Sequence, residues 1–365
     1  MTTPALRDLF LGLLPHRAPT GLLRVGAPGP DAPVLLTGNY TETVRRLRGA
    51  LQGLDAWVLC ANSKGVNVWC AAGGGHLTHH DVISVLRTSG VDQRVSHREL
   101  ILPQLAATGV ERRIITARTG WKVRWGPAQL DDLPAFLARG RRVHAAERTA
   151  RFPLAERLRM ASMWGGPMLA LALPPLGLLL DLRVALAGAV CIALLVTGPF
   201  VALPWLGLRR RSTSLGLFGA LGAATGALVL LALSSATLTH LVVLALTAVL
   251  FALVLSVDIA GTTPWYPSTI GEHANPVTLE LVDDRCTGAA DCVQVCPREV
   301  FHMNGQRRKV ELVHPERCIR CAACIVQCPE DALRFRYRDG SVVEAETIRR
   351  TRVNLMGKRA VQLSS

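Results

Sequence analysis

The sequence predicts a multidomain protein with an α/β domain first, four transmembrane helices next and a cysteine-rich α+β domain last. Three observations lead to this prediction. Short apolar runs alternate with amphipathic stretches in the first 140 residues, a pattern typical of α/β domains. Residues 160–257 are nearly free of charge, and seven of the ten cysteines lie between Cys286 and Cys328. A chain of 365 residues is long enough for several such domains.

The composition and the position of the charges indicate a membrane protein. Half of the residues are hydrophobic, and the mean hydropathy of +0.29 is high for a soluble protein. The net charge is +14, but the arginines lie beside the apolar runs: seven between Arg139 and Arg159, and Arg209, Arg210 and Arg211 between two later runs. Such positions mark cytoplasmic loops, and no nucleic-acid-binding motif accompanies them. We therefore expect a lipid bilayer, and no nucleic acid, among the partners.

The first domain, residues 1–145, is predicted to have a Rossmann-like α/β fold with a mainly parallel sheet. "APVLLTGN", "DAWVLCAN" and "VNVW" are predicted strands, and "YTETVRRLRGAL" and "THHDVISVLRTSG" are predicted helices. In the second helix we expect Thr78 as the N-cap, with Asp81 three residues later, and Gly90 as the stop. No G-x-G-x-x-G follows a strand, so nicotinamide binding is not predicted. Pro15 breaks the short N-terminal apolar patch, and we therefore expect a cytoplasmic domain without a signal peptide.

Four apolar runs follow a basic juxtamembrane linker at residues 146–161, and each is long enough to cross a bilayer. They span residues 162–180, 184–206, 213–234 and 238–257. Arginines before the first run and between the second and third indicate cytoplasmic ends. Because an even number of spans returns the chain to its starting side, we expect a multi-pass protein of the cell (inner) membrane with both terminal domains in the cytoplasm. A soluble helical core is the alternative, but such a core rarely has so few charges.

A linker at residues 258–276 leads to a cysteine-rich module at residues 277–340 and a basic, partly helical tail at residues 341–365. The stretch "CIRCAACIVQCP" has the complete C-x2-C-x2-C-x3-C-P spacing of bacterial-type ferredoxins, which predicts an α+β iron–sulfur domain. Zinc is the alternative, but a zinc site gives no role to the third cysteine or to the proline. In a reducing compartment, clustered cysteines favour metal binding over disulfides.

The first copy of this motif, "CTGAADCVQVCP", has Ala289 in place of its second cysteine, without a change in length. Because the fourth cysteine of each copy ligates the other cluster, we expect one complete [4Fe–4S] site. Its ligands are Cys296, Cys318, Cys321 and Cys324. The other site has only Cys286, Cys292 and Cys328. It holds a [3Fe–4S] cluster, or a [4Fe–4S] cluster with an oxygen ligand from water or Asp291, or it is lost; we favour an occupied site.

One cysteine, Cys70, lies far from this module in the stretch "GVNVWCAAGGGHLTHHD". We expect it to end a strand, followed by small residues that let a large flat ligand approach the backbone. A thiolate there is a strongly donating metal ligand. Cysteine is also a common core residue, which is the role that we expect for Cys60 and Cys191. The residue pattern leaves both roles open for Cys70.

The segment "NVWCAAG", residues 67–73, resembles the signature of the corrinoid protein of microbial mercury methylation. That family shares its corrinoid domain with the corrinoid iron–sulfur protein of the acetyl-CoA pathway. The likeness continues through "VSHRELILPQLAATGV" and "RTGWKVRWGPAQLDDLPAFLARG", and the family also has C-terminal membrane helices. Residues 277–365, including "RRTRVNLMGKR", resemble the small two-cluster ferredoxin that is the family's usual partner. The chain therefore looks like the two partners fused.

The resemblance implies a cobalamin-type corrinoid with Cys70 as the lower axial ligand of its cobalt. The surface beneath the corrin ring would be formed by Asn67, Val68, Trp69, Ala71, Ala72 and Gly73. In the family, a methyl group passes from a methylated folate or pterin, or its carrier protein, through the corrinoid to Hg(II). The ferredoxin, which takes electrons from an upstream donor, reduces the cobalt, so that the protein supplies ligand, geometry and electrons.

Three positions depart from the family pattern. Gly74 stands where the signature has a basic residue, Ala289 replaces a cluster ligand, and no cysteine follows Cys328. The family's ferredoxin has a C-terminal cysteine pair, and Hg(II) prefers thiolate ligands, so the last departure concerns the mercury acceptor more than the corrinoid.

The sequence therefore predicts a membrane-anchored corrinoid methyltransferase fused to its reducing ferredoxin, with Hg(II) as the acceptor that the resemblance implies. The alternatives are a membrane-bound iron–sulfur electron-transfer protein and a corrinoid methyl carrier with another acceptor. Other notable side chains are predicted to be structural. We expect His76, His79 and His80 at a solvated helix start, and Trp121 and Trp125 in sheet packing.

Overall fold

The structure is a computed structural model and describes residues 16–206, 211–256, 277–353 and 359–361. These residues form two compact units. One unit contains the residues up to Arg151 together with those from 277 onward, and the other contains those from Phe152 to Ser256. The predicted linker at 258–276, the N-terminal apolar patch with Pro15, and Arg209 and Arg210 lie outside the described residues.

The α/β domain is built on a five-stranded sheet with the strand order β1-β3-β2-β4-β5. Strand β1 pairs antiparallel with β3 at one edge, and the other four strands are parallel. The predicted mainly parallel sheet is therefore confirmed, and one antiparallel edge strand is added to it. The strands are β1 (Gly21–Val25), β2 (Val34–Gly38), β3 (Ala56–Ala61), β4 (Glu99–Leu102) and β5 (Lys122–Trp125).

Helices cover both faces of this sheet. Val34 and Leu36 of β2 lie in one core, with residues of α2, α3 and α4, while Leu35 lies in the other, with α1 and α5. This alternation follows from the two-residue period of a strand, and it gives the three layers of a Rossmann-like domain. The helices are α1 (Thr41–Ala50), α2 (Val68–Gly73), α3 (His79–Thr88), α4 (Arg112–Thr119) and α5 (Leu133–Ala138).

The second unit consists of four long helices that match the four predicted apolar runs. By length and composition, all four could cross a membrane. The first begins at Leu154, directly after Pro153 and earlier than predicted. In its first turns, Arg157 is buried and donates to the carbonyls of Phe200 and Val201. Membrane crossing and its orientation stay predictions. The helices are α6 (Leu154–Leu179), α7 (Leu182–Leu206), α8 (Arg211–Ala232) and α9 (Leu238–Ser256).

The cysteine-rich module has the predicted α+β architecture. Its three-stranded sheet has the order β10-β9-β6, and β7 and β8 form a hairpin. Two short helices, α10 and α11, carry cysteines. The strands are β6 (Val277–Leu281), β7 (Phe301–Asn304), β8 (Lys309–Leu312), β9 (Leu333–Tyr337) and β10 (Val342–Val343). The helices are α10 (Asp291–Val295), α11 (Ala323–Gln327) and, in the predicted tail, α12 (Ala345–Arg350). The tail continues with the paired strands β11 (Thr351–Val353) and β12 (Arg359–Val361).

Candidate functional site

The order of the strands creates a switch point between β2 and β4. From β2 the chain passes to β3 on one side and then to β4 on the other side of β2. In open α/β sheets, ligands bind at such a point, outside the carboxyl ends of the strands. Helix α2, with Cys70, follows the carboxyl end of β3 and packs against the residues that follow β4. Those residues, 103–111, are called the β4–α4 segment below.

Cys70 lies in the first turn of helix α2, so the predicted strand at "VNVW" is wrong. The cause is Asn67, whose side-chain oxygen accepts the backbone N–H of Cys70 at 2.9 Å and caps the helix. The Cys70 carbonyl accepts the N–H of Gly74 at 2.9 Å, where the helix ends. A cap and three small residues favour this turn over the extended form that the two valines suggest.

The predicted corrinoid-binding residues divide into two groups. Buried are Val68, Ala71 and Ala72. At least partly exposed are Asn67, Trp69, Cys70 and Gly73. The buried group packs inward, so the small size of the alanines serves close packing and does not shape an open surface. In the outer group, Cys70 is partly exposed, and Gly73 borders open space.

The contact between α2 and the β4–α4 segment is a backbone contact. A Cβ atom at Gly109 would lie within 2.8 Å of the carbonyl carbon of Ala72. Any side chain at Gly109 would therefore push the two elements apart. Ala106 and Ala107 of the same segment are fully buried in the core that also holds Val68. Helix α2 thus lies directly on this segment.

Asn39, just beyond β2, holds the loop that leads to α2. Its side chain is 3% exposed, and its Oδ1 accepts the N–H of Ser63 at 2.8 Å and that of Gly65 at 3.0 Å. Its Nδ2 donates to the carbonyl of Ala18 at 3.3 Å. This role of Asn39 was not predicted from the sequence. An asparagine directly after a buried strand is the signal that could have pointed to it.

The geometry around Cys70 fits a corrinoid better than a bare metal ion. Among the residues that the structure describes, including those around Cys70, no three His, Cys, Asp or Glu side chains are arranged to hold a single metal ion. A corrin ring supplies the equatorial ligands of its cobalt and needs only one donor from the protein. A single, partly exposed thiol at the carboxyl edge of the sheet meets this need.

The neighbouring histidines and the two tryptophans have mostly the predicted structural roles. His76 and His80 are exposed at the start of α3. The prediction is wrong for His79, whose side chain is only 12% exposed and whose Nδ1 lies 3.4 Å from Oε1 of Glu111. Trp121 and Trp125 are buried in the core of the sheet, as predicted.

The seven clustered cysteines line two separate cavities, each with a volume of about 20 Å³. One cavity, the four-cysteine site, is lined by Cys296, Cys318, Cys321 and Cys324. The other, the three-cysteine site, is lined by Cys286, Cys292 and Cys328. Each cavity combines cysteines of both motif copies, which is the crossed arrangement that the spacing predicts. The four thiols around one cavity are the donor set of a [4Fe–4S] cluster.

Ala289 occupies the same place in the first motif as Cys321 in the second. The residues just before them, Gly288 and Arg320, both have positive φ, at 77° and 56°. The residues just after them, Ala290 and Ala322, have φ of 59° and 64° and are the N-cap residues of α10 and α11. The two loops therefore share one conformation. Ala289 is a substitution at a ligand position, and it lines the three-cysteine site.

Asp291, the predicted source of an oxygen ligand, is among the residues that line the three-cysteine site. It is 4% exposed, and its carboxylate forms an ion pair with Arg112 of the α/β domain. Burial raises the pKa of Asp291, and the nearby Arg112 offsets part of this increase. A ligand role for Asp291 would have to compete with this ion pair, and the nature of the second cluster stays a prediction.

Burial determines the electrostatics of the clustered cysteines. Burial raises the pKa of Cys292 to about 12 and that of Cys318 to about 11. Such thiols become thiolates when a positively charged metal centre binds them. Backbone N–H groups point at the sulfurs, from Val300 to Cys296 at 3.5 Å and from Ala332 to Cys328 at 3.3 Å. Hydrogen bonds of this kind tune cluster potentials.

The module docks on the α/β domain through a short strap, residues 148–150. Arg148 donates to the carbonyl of Gln294 at 2.9 Å, and the N–H of Ala150 donates to that of Pro297 at 2.9 Å. Thr149 donates to Glu299 at 2.7 Å. The strap lies in the predicted juxtamembrane linker, so these residues also serve as a docking surface.

The comparisons with known proteins divide along the same two parts of the chain. Residues 13–137 match the family model of the CO dehydrogenase/acetyl-CoA synthase delta subunit. Residues 285–333 match the 4Fe-4S dicluster domain. The first match covers the α/β domain with Cys70, and the second covers all seven clustered cysteines.

Individual relatives match about a third of the chain. The acetyl-CoA decarbonylase/synthase complex subunit gamma of Methanopyrus kandleri is 33% identical over 125 residues, which are 34% of this chain and 27% of that protein. The same subunit of Archaeoglobus fulgidus is 32% identical over 125 residues, 34% of this chain and 26% of that protein. Subunit gamma 2 of Methanosarcina mazei is 34% identical over 120 residues, 32% of this chain and 25% of that protein. The chain thus spans about a quarter of the length of these relatives.

These similarities confirm part of the predicted resemblance. The α/β domain is related to subunits of the acetyl-CoA decarbonylase/synthase complex, and the module is related to 4Fe–4S dicluster domains. Mercury methylation, the role of Cys70 and the number of clusters stay predictions.

Proposed function

We propose that the chain is a membrane-anchored, corrinoid-dependent methyltransferase whose cysteine-rich module reduces the corrinoid. The observation that carries this proposal is that helices α2 and α11 both pack against the β4–α4 segment. Helix α2 contains Cys70, and α11 contains Cys324 and ends just before Cys328. A corrinoid ligand and cluster ligands therefore lie in neighbouring layers of one compact unit.

The residues of the chain have distinct roles in this proposal. The bound corrinoid would supply the methyl-transfer chemistry, and the clusters would supply its electrons. The Cys70 thiolate would be the axial donor, and the Asn67 cap would fix its orientation. Gly73 borders open space at the end of helix α2. Because four is an even number of spans, both soluble parts would lie on the cytoplasmic side. A methylated folate or pterin, or its carrier protein, and an upstream electron donor would be available there.

Hg(II) is the acceptor that the resemblance implies, and it is part of this proposal. A thiolate axial donor supports methyl transfer to a soft metal ion because it increases electron density on the cofactor. A second acceptor is favoured by a specific observation: no cysteine follows Cys328 to bind Hg(II). The named relatives are subunits of acetyl-CoA decarbonylase/synthase complexes, which supports a methyl carrier for a carbon or protein acceptor as the second candidate.

Metal analysis and a cysteine variant test the central proposal. We expect anaerobically purified protein to contain cobalt as well as iron, and Cys70→Ala to change the corrinoid spectrum. Cys60→Ala is the matched control, because Cys60 is fully buried in β3 and should leave the spectrum unchanged. Iron without cobalt would instead indicate the membrane electron-transfer protein.

The acceptor needs its own experiment. Cells with the wild-type gene are compared with cells that carry Cys70→Ala for methylmercury formation from Hg(II). We expect methylmercury only with the wild type. Equal formation in both, together with cobalt in the purified protein, would assign the second candidate function.

A further inference from the structure

Gln327 is a buried polar residue at the contact between the module and the α/β domain. It is 2% exposed, and its Nε2 donates to the carbonyls of Ala107 and Val110, both at 2.8 Å. Its Oε1 accepts the N–H of Arg112 at 3.4 Å. Both amide hydrogens and the amide oxygen are thus used, and all three partners are backbone atoms of the α/β domain. Such a fully satisfied buried amide specifies one arrangement of the two surfaces.

The fold of the module itself does not require this amide. The two motif copies have equivalent helices, and the residue before the last cysteine is Gln327 in α11 and Val295 in α10. Val295 is buried to the same degree, at 1% exposed, and packs with apolar residues. One copy of the motif therefore folds with an apolar residue at this position. The amide of Gln327 serves the contact with the α/β domain.

Gln327 also lies close in sequence to cysteines of both sites. It directly precedes Cys328 of the three-cysteine site and follows Cys324 of the four-cysteine site by three residues. Its partners Ala107 and Val110 flank Gly109, whose backbone contacts Ala72 of helix α2. Only the β4–α4 segment therefore separates the helix of Cys70 from the anchor of the clusters.

We propose that Gln327 is a positioning residue that holds the cluster-bearing helix α11 at a fixed distance from the Cys70 helix, so that electrons pass within one chain. This inference rests on the proposed function. In each transfer one electron leaves a reduced cluster, which is oxidised by one electron, and the corrinoid is reduced by one electron. Tunnelling rates fall steeply with distance, so a fixed contact keeps the transfer fast. The module then needs no docking step before each turnover.

The test compares Gln327→Met with the wild type as purified holoprotein. Methionine keeps the length of the side chain but removes the three hydrogen bonds. Gln306→Met is the matched control, because Gln306 is exposed on the turn between β7 and β8. Flash reduction of the clusters, followed by the absorbance of the corrinoid, measures the transfer rate. Hydrogen exchange of peptides that cover residues 104–112 and 323–328 measures docking without any need for activity.

In the wild type we expect a transfer rate that does not depend on protein concentration. In Gln327→Met we expect this rate to fall roughly tenfold or more, and the exchange of both peptides to become roughly tenfold faster. Iron content and cluster spectra should not change, and Gln306→Met should behave like the wild type. Gln327→Ala serves as a second variant if the methionine is poorly accommodated.

Two results would overturn the inference. One is unchanged exchange in both Gln327 variants, which means that the amide does not hold the module. The other is faster exchange with an unchanged transfer rate, which means that docking does not limit electron transfer. A wild-type protein without cobalt would count against the proposed function, and the exchange measurement would then still decide whether Gln327 holds the module.

Discussion

Gly109 and Ala72 are in backbone contact, because a Cβ atom at Gly109 would lie within 2.8 Å of the Ala72 carbonyl carbon. This contact joins the helix of Cys70 to the segment on which the cysteine-rich module docks. It explains why small residues continue beyond Cys70: Ala71 and Ala72 are fully buried. Their size permits close packing of two backbones.

Gly109→Ala should therefore separate α2 from the β4–α4 segment. Overpacking of this kind costs about 1–3 kcal/mol, and we expect a lower thermal unfolding midpoint and a several-fold loss of cobalt per chain. Gly49→Ala is the control, since a Cβ there meets nothing within 4 Å and Gly49 lies in helix α1. A normal cobalt content in Gly109→Ala would show that the close contact is not needed for the corrinoid.

Asn39→Ala should disturb the loop before Cys70 more than the rest of the fold. The substitution leaves the N–H groups of Ser63 and Gly65 without their acceptor, and buried unsatisfied donors cost about 1–3 kcal/mol. We expect cobalt to fall several-fold while iron per chain stays constant, as measured by metal analysis. Asn62→Ala, at an exposed position of the same loop, should retain cobalt. Equal cobalt in both variants would contradict the role of Asn39.

Ala289→Cys should complete the three-cysteine site. We expect the oxidised wild type to show the paramagnetic signal of a [3Fe–4S] cluster, because Asp291 is engaged by Arg112. In Ala289→Cys this signal should disappear, and iron should increase by about one atom per chain. Thr287→Cys lines the same cavity outside the ligand position and should retain the signal. A wild type that already contains two [4Fe–4S] clusters would indicate an oxygen ligand instead.

Glu99→Gln should reveal the contribution of an ion-pair network on β4. The Glu99 carboxylate accepts from Arg124 at 2.6 Å and Arg141 at 2.7 Å. Burial raises its pKa, but these two arginines outweigh burial and hold the pKa below its usual value of 4.5. A carboxylate of this kind adds stability above its unfolded pKa, and the contribution is lost as the pH falls through its folded pKa.

For Glu99→Gln we expect the free energy of unfolding at pH 7 to fall by roughly 1 kcal/mol. The difference from the wild type should shrink as the pH drops below about 4.5. Urea unfolding followed by tryptophan fluorescence measures both values. Glu42→Gln is the control, because the exposed pair of Glu42 with Arg45 on α1 should contribute little. A loss that is equal at pH 7 and pH 4 would have a cause other than the carboxylate charge.

Local patterns were sufficient for most of the architecture. The capping box of α3 is an example: Thr78 donates to Asp81 at 2.8 Å, as the spacing of the two residues predicts. The four apolar helices also follow from local sequence patterns, and so does the arrangement in which each cavity is lined by cysteines of both motif copies. In each case the signal lies within a few residues of the feature that it predicts.

Helix α2 and the docking contacts could not be predicted in this way. The valines around Asn67 suggest a strand, and the helix depends on one cap and on packing against Gly109, which is distant in sequence. Gln327 has an ordinary sequence context, and its partners are backbone atoms more than 200 residues away. Backbone carbonyls carry no sequence signal, so contacts of this kind become visible only in three dimensions.

The open corner at Ala289 has a consequence for the chemistry of the protein in air. Ala289 is exposed, whereas its counterpart Cys321, which lines the four-cysteine site, is partly buried. We therefore expect dioxygen and peroxide to reach the three-cysteine site first, and damage to proceed in two stages, with iron released from that site before the other. Brief aeration would then disable one redox centre selectively. The iron content per chain would therefore indicate how much oxidant the protein had met.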